Sequence, residues 1–189
     1  MTKKADETQQ RIMKAAYELF YRQGFTRVNV DAVAAHAGLT KRTLYAHFRS
    51  KDDLLAAVLE FHHELALAQI HKWTARLTGN INAMIDDLFD QLMEWASKPR
   101  WSGAGFTRIV VELADLQGHP ARAIASRHKS AVEAWFAAEF AKRKVKAPYE
   151  LAREVVLLIE GATALMLIHR DRSYAEAAAR AAKRLAKQK

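Results

Sequence analysis

The sequence predicts an all-α protein of about nine helices. Apolar residues recur at helical spacing along almost every segment, and no segment sustains the alternation of apolar and polar residues that indicates a half-buried strand. Only 7 of the 189 residues are glycine and 3 are proline, so few positions interrupt a helix. Half of the residues are hydrophobic, which suffices for a sizeable core at this length.

Two helices are predicted before residue 38. The first spans about residues 5–23 and ends at Gly24. Its apolar side chains lie at helical spacing, at Ile12, Ala15, Ala16, Leu19 and Phe20. Asn29 is a favourable N-cap for a second, short helix. Gly38 can adopt the left-handed conformation that ends this helix within one residue.

A third helix is predicted after Thr40, which can serve as its N-cap. Two short helices joined by a turn that contains glycine form a helix-turn-helix, whose second helix enters the major groove of DNA by its N-terminal residues. Here those residues are Lys41, Arg42 and Thr43. The pattern therefore predicts a DNA-binding unit at residues 1–50.

Six further helices are predicted in a bundle over residues 51–189. Ser50 and Asp53 form a capping-box-like start for a long fourth helix that runs towards residue 77. The others are expected at about residues 81–96, 103–116, 120–143, 149–169 and 174–187. Because the fourth helix joins the two parts as a continuous rod, we expect movement at its C-terminal end to be felt at its N-terminal end.

The positive charge is concentrated near the N-terminus. The chain has a formal net charge of +9, and residues 1–51 contain ten Lys or Arg against four Asp or Glu, so they carry six of these nine charges. A generally basic surface would spread the excess evenly. The observed concentration is the one expected of a domain that faces phosphates.

The first third of the chain resembles the N-terminal domain of the tetracycline-repressor (TetR) family of bacterial regulators. The segments that carry the resemblance, in the family's order and spacing, are Ile12–Phe20, Gly24–Phe25, Val33–Ala34, Ala37–Thr40, Thr43–Tyr45, His47–Phe48 and Ser50–Leu54. The resemblance implies a transcriptional regulator, usually a repressor, that binds a palindromic operator in double-stranded DNA as a homodimer. It also implies release from DNA when a small lipophilic or aromatic effector binds.

The resemblance implies DNA contacts at eight residues: Asn29, Thr40, Lys41, Arg42, Thr43, Tyr45, His47 and Lys51. Lys41, Arg42 and Thr43 are expected to face base edges, and the backbone-facing set includes Thr40, Tyr45, His47 and Lys51. An arginine at this position can pair bidentately with guanine. The amides at the start of the fourth helix, beside Lys51, can bind a phosphate.

Three points about these residues stay open or limit the comparison. Arg42 stands where the family often has a small residue, so no operator sequence can be carried over. His47 has an alternative interpretation as an interior histidine. Lys41 and Arg42 have an alternative as part of an ordinary solvated face.

The predicted domain at residues 51–189 is expected to contain an effector pocket. All four tryptophans lie there, which suits a roomy apolar pocket. The candidate wall residues are Phe61, Trp73, Phe89, Met93, Trp101, Phe106, Ile109, Trp135, Glu160 and Met166. Aromatic and methionine side chains at helical spacing are usually core, so we expect more than half of such residues to be structural. Glu112, Glu160 and His169 could orient a ligand or form internal pairs, such as Arg108 with Glu112.

A dimer interface is expected on the helix predicted at residues 149–169. Between Val155 and Ile168 this helix is apolar nearly all round, and such a helix must be covered on all sides. With the helix at 120–143 it would form a four-helix bundle across a dimer, as the resemblance implies. The candidate interface residues are Val132, Trp135, Phe136, Leu158 and Leu165. The alternative is a monomer in which this helix is simply central.

An enzyme is the first alternative function. Glu60 and His63 form a Glu-x-x-His step of the kind used in di-iron helical bundles, with Glu64 and His71 nearby, but the sequence contains no second step. Cysteine is absent, and so are a Gly-x-Ser-x-Gly elbow and a phosphate-binding glycine loop. We therefore expect no catalytic residue, metal or cofactor.

A helical adaptor that binds acidic partners or membranes is the second alternative. The basic residues do not form one amphipathic helix with a bulky apolar face, which disfavours membrane binding. No secretory signal is visible, and the longest apolar run, over residues 155–168, is too short to span a bilayer. We therefore expect a cytoplasmic protein without a membrane partner.

Overall fold

Every regular element in the described part of the chain is an α-helix. The computed structural model describes the backbone of residues 3–74 and 79–188 and the side chains of residues 5–70 and 79–188. Within these ranges the helices are α1 (Lys3–Gln23), α2 (Val30–His36), α3 (Lys41–His47), α4 (Lys51–Thr74), α5 (Ile81–Ala96), α6 (Gly105–Glu112), α7 (Pro120–Lys142), α8 (Pro148–His169) and α9 (Ser173–Gln188). The predicted all-α fold is confirmed. The expected end of the fourth helix near residue 77 lies outside the described residues.

Side-chain caps fix where α2, α3 and α4 begin. Asn29, Thr40 and Ser50 each accept a hydrogen bond from the backbone amide three residues further on, at 2.7, 3.1 and 2.9 Å. Asp53 accepts a hydrogen bond from the amide of Arg49 at 2.9 Å, which completes a box-like start for α4. Each bond satisfies an amide that has no partner within its own helix.

α6 is shorter than the sequence predicts. The expected span was about residues 103–116, whereas the helix covers Gly105–Glu112. Gly103 has a φ of +80°, outside the helical region, and the chain after the helix turns through tighter bonds such as Leu116 N to Leu113 O. Apolar residues continue through these turns, so periodicity alone does not mark the end of the helix.

The chain divides into two compact units. Unit 1 comprises Met1–Ala66 and Gly105–Ser126, and unit 2 comprises Leu67–Ala104 and Arg127–Lys189. These boundaries differ from the functional division expected at residue 50, because side chains of α6 and of the start of α7 share a core with the N-terminal helices. The division of DNA binding and effector binding between residues 1–50 and 51–189 stays a prediction.

The core of unit 1 holds the helix-turn-helix together. Side chains from α1, α2, α3 and α4 are all fully or almost fully buried there, including Ile12, Phe20, Val33, Leu44 and Leu54. Burial of each such side chain stabilises the folded unit by roughly 1.5–3 kcal/mol. The two short helices are therefore rigid only as part of this unit, since isolated helices of their length are unstable.

The core of unit 2 is formed mainly by α5, α8 and α9. Phe89, Leu151 and Val155 are buried at its centre. α9 contributes a row of buried small side chains at helical spacing: Ala175, Ala178, Ala179 and Ala182. Because these side chains are short, α9 can lie close to its neighbours.

α8 has a second apolar face that its own unit does not cover. Leu157 is 67% exposed and Ile168 is 69% exposed. Gly161 lies between them, and a methyl group added there would meet no atom of the described residues within 4 Å. None of the described helices is long and apolar enough to cross a membrane.

Candidate nucleic-acid interface

α3 buries one face and exposes the other. Leu44 and Phe48 are 0% and 3% exposed, whereas Lys41 and Arg42 lie in solvent and Tyr45 is 44% exposed. The exposed side chains stand at the N-terminal end of the helix, beside the Thr40 cap. A recognition helix needs this division, because the inner face fixes its position while the outer face approaches base edges.

The turn between α2 and α3 is anchored to α1 by an arginine that the sequence analysis did not single out. Arg11 donates a hydrogen bond from Nη2 to the carbonyl oxygen of Ala37 at 2.7 Å. Gly38 follows with a φ of +65°, a conformation that favours glycine, and a Cβ there would lie 3.3 Å from the same Nη2. The glycine in the motif therefore both ends α2 and leaves room for the arginine.

Lys41 is held by a neighbour on α2. Its Nζ donates to Oδ2 of Asp31 on α2 at 3.0 Å, and both side chains are more than half exposed. This hydrogen bond, and the Asp31 charge, raise the pKa of Lys41. Arg42 makes no hydrogen bond or ion pair with any residue whose side chain the structure describes. The two basic residues expected to face bases thus differ: one must leave a carboxylate and the other is available.

Several expected DNA contacts have other roles in the structure. The side-chain oxygen of Asn29 caps α2, and the Thr43 hydroxyl lies 2.9 Å from that of Thr40. His47 is only partly exposed, so the structure leaves both of its interpretations open. Asn29 and Thr43 retain further hydrogen-bonding groups, and their DNA roles stay predictions.

Lys51 packs on an aromatic ring at the start of α4. Its Nζ lies 4.1 Å from the centre of the Phe25 ring, and partial burial lowers the pKa of Lys51. The attraction between an ammonium and a ring face partly offsets this burial. The lysine expected to bind a phosphate is therefore positioned by the loop between α1 and α2.

That loop is held by Glu112, the last residue of α6. Both carboxylate oxygens accept hydrogen bonds: Oε2 from Phe25 N at 3.0 Å, and Oε1 from Thr26 N at 2.8 Å and from the Thr26 hydroxyl at 2.5 Å. Arg108 donates to the carbonyl oxygen of Tyr21 at 2.9 Å, and its charge also lowers the pKa of Glu112. Glu112 was expected either to orient a ligand or to pair with Arg108, and no sequence signal connects it with a loop 86 residues away.

The candidate effector residues are distributed over both compact units. Phe89 and Met166 are buried in the core of unit 2, where Met93, Trp101 and Trp135 are partly buried, while Ile109 and Phe106 belong to the core of unit 1. Phe61 is exposed, and the side chain of Trp73 lies outside the described residues. Glu160 forms an ion pair with Lys129 in unit 2.

Two surface hollows lie elsewhere. One of about 430 Å³ is lined by polar residues of α5 and α9 that include Asp86 and Lys183. Another of about 230 Å³ lies around the end of α6 and the start of α7, with Val110 and His119 in its wall. Neither contains a candidate wall residue, so the effector pocket stays a prediction.

The candidate dimer residues need one correction. Phe136 is 2% exposed and packs against Phe140 in the core of its own unit, so it has no surface left for a partner. Val132, Trp135 and Leu158 are partly buried, and Leu165 is 37% exposed. Leu157 and Ile168 of α8, which are not among the candidate interface residues, are more exposed than any of these.

No three potential ligands among His, Asp and Glu lie close enough to hold a metal ion within the described side chains. Glu60 and His63 lie on α4, and the side chain of His71 is outside the described residues.

The fold and this interface define a helix-turn-helix protein. Residues 12–58 match the family model for bacterial regulatory proteins of the tetR family. The HTH-type transcriptional regulator SrpR of Pseudomonas putida is 46% identical over 55 residues, 29% of this chain and 26% of SrpR. The HTH-type transcriptional activator FasR of Mycolicibacterium smegmatis is 32% identical over 88 residues, 45% of this chain and 40% of FasR. The chain therefore aligns with less than half the length of these curated relatives.

The likeness to solved structures extends over the whole chain. A TetR-family transcriptional regulator from Streptomyces coelicolor superposes with a TM-score of 0.85 over 97% of this chain and 96% of its own, at 22% identity. At that identity the likeness establishes the fold, while the family match rests on the N-terminal segment. Residues 12–58 therefore match the TetR family, and the chain as a whole shares the fold of the solved TetR-family regulator.

Proposed function

We propose that this protein is a transcriptional regulator that binds an operator in double-stranded DNA through α3. The observation that supports this most directly is the exposed pair Lys41 and Arg42 at the capped start of a helix whose opposite face is buried. Their position fits entry into the major groove, where Arg42 can form a bidentate pair with guanine. The function involves no catalytic step, and it places the protein with the chromosome in the cytoplasm.

The test is selection of a preferred duplex from a random library, followed by titration of the Arg42→Ala variant. Loss of a bidentate contact is expected to lower affinity for the selected duplex by about 5- to 150-fold, which corresponds to roughly 1–3 kcal/mol. Binding to unrelated duplexes should weaken much less. Arg172→Ala, which removes an equally exposed arginine from unit 2, is the matched control. Absence of any preferred duplex at moderate ionic strength would contradict the proposal.

We propose further that the operator is palindromic and is bound by a homodimer. A single small helix-turn-helix contacts few base pairs, and two copies on a two-fold axis supply specific affinity by meeting two half-sites. The uncovered apolar face of α8, with Leu157 and Ile168, supports a self-complementary contact. The alternative is a monomer that leaves this face in water.

An apolar or aromatic effector is proposed to release the protein from DNA. Coupling free energies between two sites are typically about 1–3 kcal/mol and act equally in both directions. A thermal-shift screen of lipophilic and aromatic compounds should therefore find ligands whose affinity drops when operator DNA is present. A ligand that binds tightly but leaves operator affinity unchanged would not be the effector.

Repression is the output that we propose, because a dimer held on an operator obstructs access to the DNA beneath it. Activation is the outcome for the relative FasR, so a reporter gene placed behind the selected operator distinguishes the two. Expression should rise when the regulator is deleted. A fall in expression on deletion would assign activation instead.

A further inference from the structure

The loop between α1 and α2 is attached to the end of α6 by one carboxylate. Glu112 accepts hydrogen bonds from two consecutive amides, those of Phe25 and Thr26, and from the Thr26 hydroxyl. All of these residues belong to unit 1. Gly24, with a φ of +90°, allows the close approach, because a Cβ there would lie only 3.1 Å from Oε1. The contact therefore uses both oxygens of Glu112 and depends on the backbone shape of the loop.

The carboxylate of Glu112 is ionised at neutral pH. Burial alone would raise its pKa, but the hydrogen bonds from Thr26 and Phe25, with the charge of Arg108, lower the pKa below its ordinary value. Hydrogen bonds to an ionised acceptor are stronger than those between neutral groups. The contact is thus a directional restraint on the loop, made by a side chain that is itself exposed to solvent.

The restrained loop leads directly to the groups that are proposed to contact DNA. Phe25 is buried, and its ring lies edge-on to Phe20 and beneath the ammonium of Lys51. Three residues after Thr26 the chain reaches Asn29, the N-cap of α2. A shift of the loop would therefore move both the start of the helix-turn-helix and the platform under Lys51.

The core of unit 1 also has many apolar contributions besides the Glu112 contact. Val33, Leu44 and Phe48 are buried there with side chains of α1 and α4. Loss of the contact should therefore change where the helix-turn-helix sits on its scaffold more than whether the unit folds.

We propose that Glu112 is a positioning residue for DNA recognition, which holds the Phe25–Thr26 loop so that α2, α3 and Lys51 meet the operator together. This inference rests on the proposed DNA-binding function. Glu112 is a negative charge in the unit that faces DNA phosphates, so removal of the charge alone would strengthen binding. Loss of positioning would weaken it.

The experiment compares Glu112→Ala with Asp115→Ala in the full-length protein. Asp115 is exposed, lies three residues further on and carries the same charge. Affinities are measured by fluorescence anisotropy on the duplex selected by the wild-type protein and on a scrambled duplex. We expect Glu112→Ala to lower affinity for the selected duplex by about 10-fold, as for the loss of one or two hydrogen bonds, and to leave scrambled-duplex affinity unchanged or higher. Asp115→Ala should not lower either affinity.

Two milder variants keep the inference testable if Glu112→Ala folds poorly. Thr26→Val removes only the hydroxyl donor and is expected to lower specific affinity by about 3-fold, and Glu112→Gln, which keeps an acceptor oxygen, should retain part of the wild-type affinity. Hydrogen exchange at the amides of Phe25 and Thr26 reports the restraint directly and should speed up in Glu112→Ala and Glu112→Gln.

Two results would overturn the inference. One is wild-type affinity for the selected duplex in a folded Glu112→Ala or Thr26→Val protein, and the other is loss of selected and scrambled binding in equal proportion. Absence of any preferred duplex for the wild-type protein is a different result, because it removes the proposed function itself.

Discussion

α3 and α8 each bury one face and leave the other in water, but the exposed faces are opposite in character. α3 exposes Lys41 and Arg42 behind a fully buried Leu44, whereas α8 exposes Leu157 and Ile168 behind a buried Val155. A basic outer face is stable in water and gains by meeting phosphates. An apolar outer face gains by leaving water. The buried residues of each helix thus fix its place in the fold, while its exposed residues indicate the kind of partner that it can bind.

The largest expected effect concerns the two faces of α3. Leu44→Ala should lower the free energy of unfolding by about 2–5 kcal/mol, because it removes a side chain that is 0% exposed and leaves a cavity. Tyr45→Ala, at the adjacent position on the exposed face, should change it by less than about 1 kcal/mol. Urea denaturation of both variants measures the difference. Equal losses would mean that the helix is not oriented as described.

The exposed face of α8 gives the next test. The double variant Leu157→Glu with Ile168→Glu places two charges where two apolar side chains are 67% and 69% exposed. If a second copy covers these side chains, the dissociation constant of the dimer should rise by at least about 100-fold, because the burial of two large side chains is lost. Sedimentation equilibrium measures this, with Ala177→Glu on the exposed side of α9 as the control. If the wild-type protein is itself monomeric, no second copy covers the apolar face of α8.

A pH effect extends the comparison to the helices that support α3. Burial lowers the pKa of His62 to about 4, and its ring stacks on that of Tyr17. In the unfolded chain His62 has the ordinary histidine pKa of about 6.5. The contribution of neutral His62 to the free energy of unfolding is therefore present above that pH and is lost as the pH falls from about 6.5 towards 4. Between pH 7 and pH 5 the free energy of unfolding should fall by about 1–2 kcal/mol more in the wild-type protein than in the His62→Phe variant. Equal losses would show that His62 titrates normally.

The smallest expected effect lies within the basic face of α3. Asp31→Ala frees Lys41 from its 3.0 Å contact and removes a negative charge beside the proposed DNA-binding face. Because the pair is exposed, unfolding should be unaffected, whereas affinity for the selected duplex should rise by roughly 2- to 10-fold at low salt and less at high salt. Anisotropy titrations at two ionic strengths measure the change. Weaker binding would instead give Asp31 a role in holding Lys41 for DNA.

Local signals account for most of the fold that the sequence predicted. α5 begins and ends at Ile81 and Ala96 as expected, because its apolar spacing is regular, and the structure shows Asn80 as its N-cap. α6 was expected to be longer because its apolar residues continue beyond the helix into turns. The exposed set of α3 was predictable for the same local reason, since a cap and a buried leucine fix the rotation of a seven-residue helix.

The contacts that the sequence could not show are long-range. Phe136 and Leu157 are both apolar residues on apolar helices, and only the packing of unit 2 decides that one faces inward and the other outward. Glu112 reaches Phe25 across 87 positions, and Arg11 reaches Ala37 across 26. Such pairings follow from the tertiary arrangement rather than from spacing along one helix.

Gly161 has two opposing effects on α8: it lowers the stability of the helix, and it allows close approach of another helix. Glycine within a helix lowers the stability of the fold by roughly 0.5–1 kcal/mol relative to alanine, and no atom of the described residues stands in the way of an alanine there. The bare backbone at this point would let the axis of a neighbouring helix come nearer than any side chain permits. The change Gly161→Ala should accordingly raise the melting temperature of the single chain. It should also raise the dissociation constant of a dimer in which α8 packs against a second copy. One methyl group would thus stabilise the monomer and destabilise the dimer.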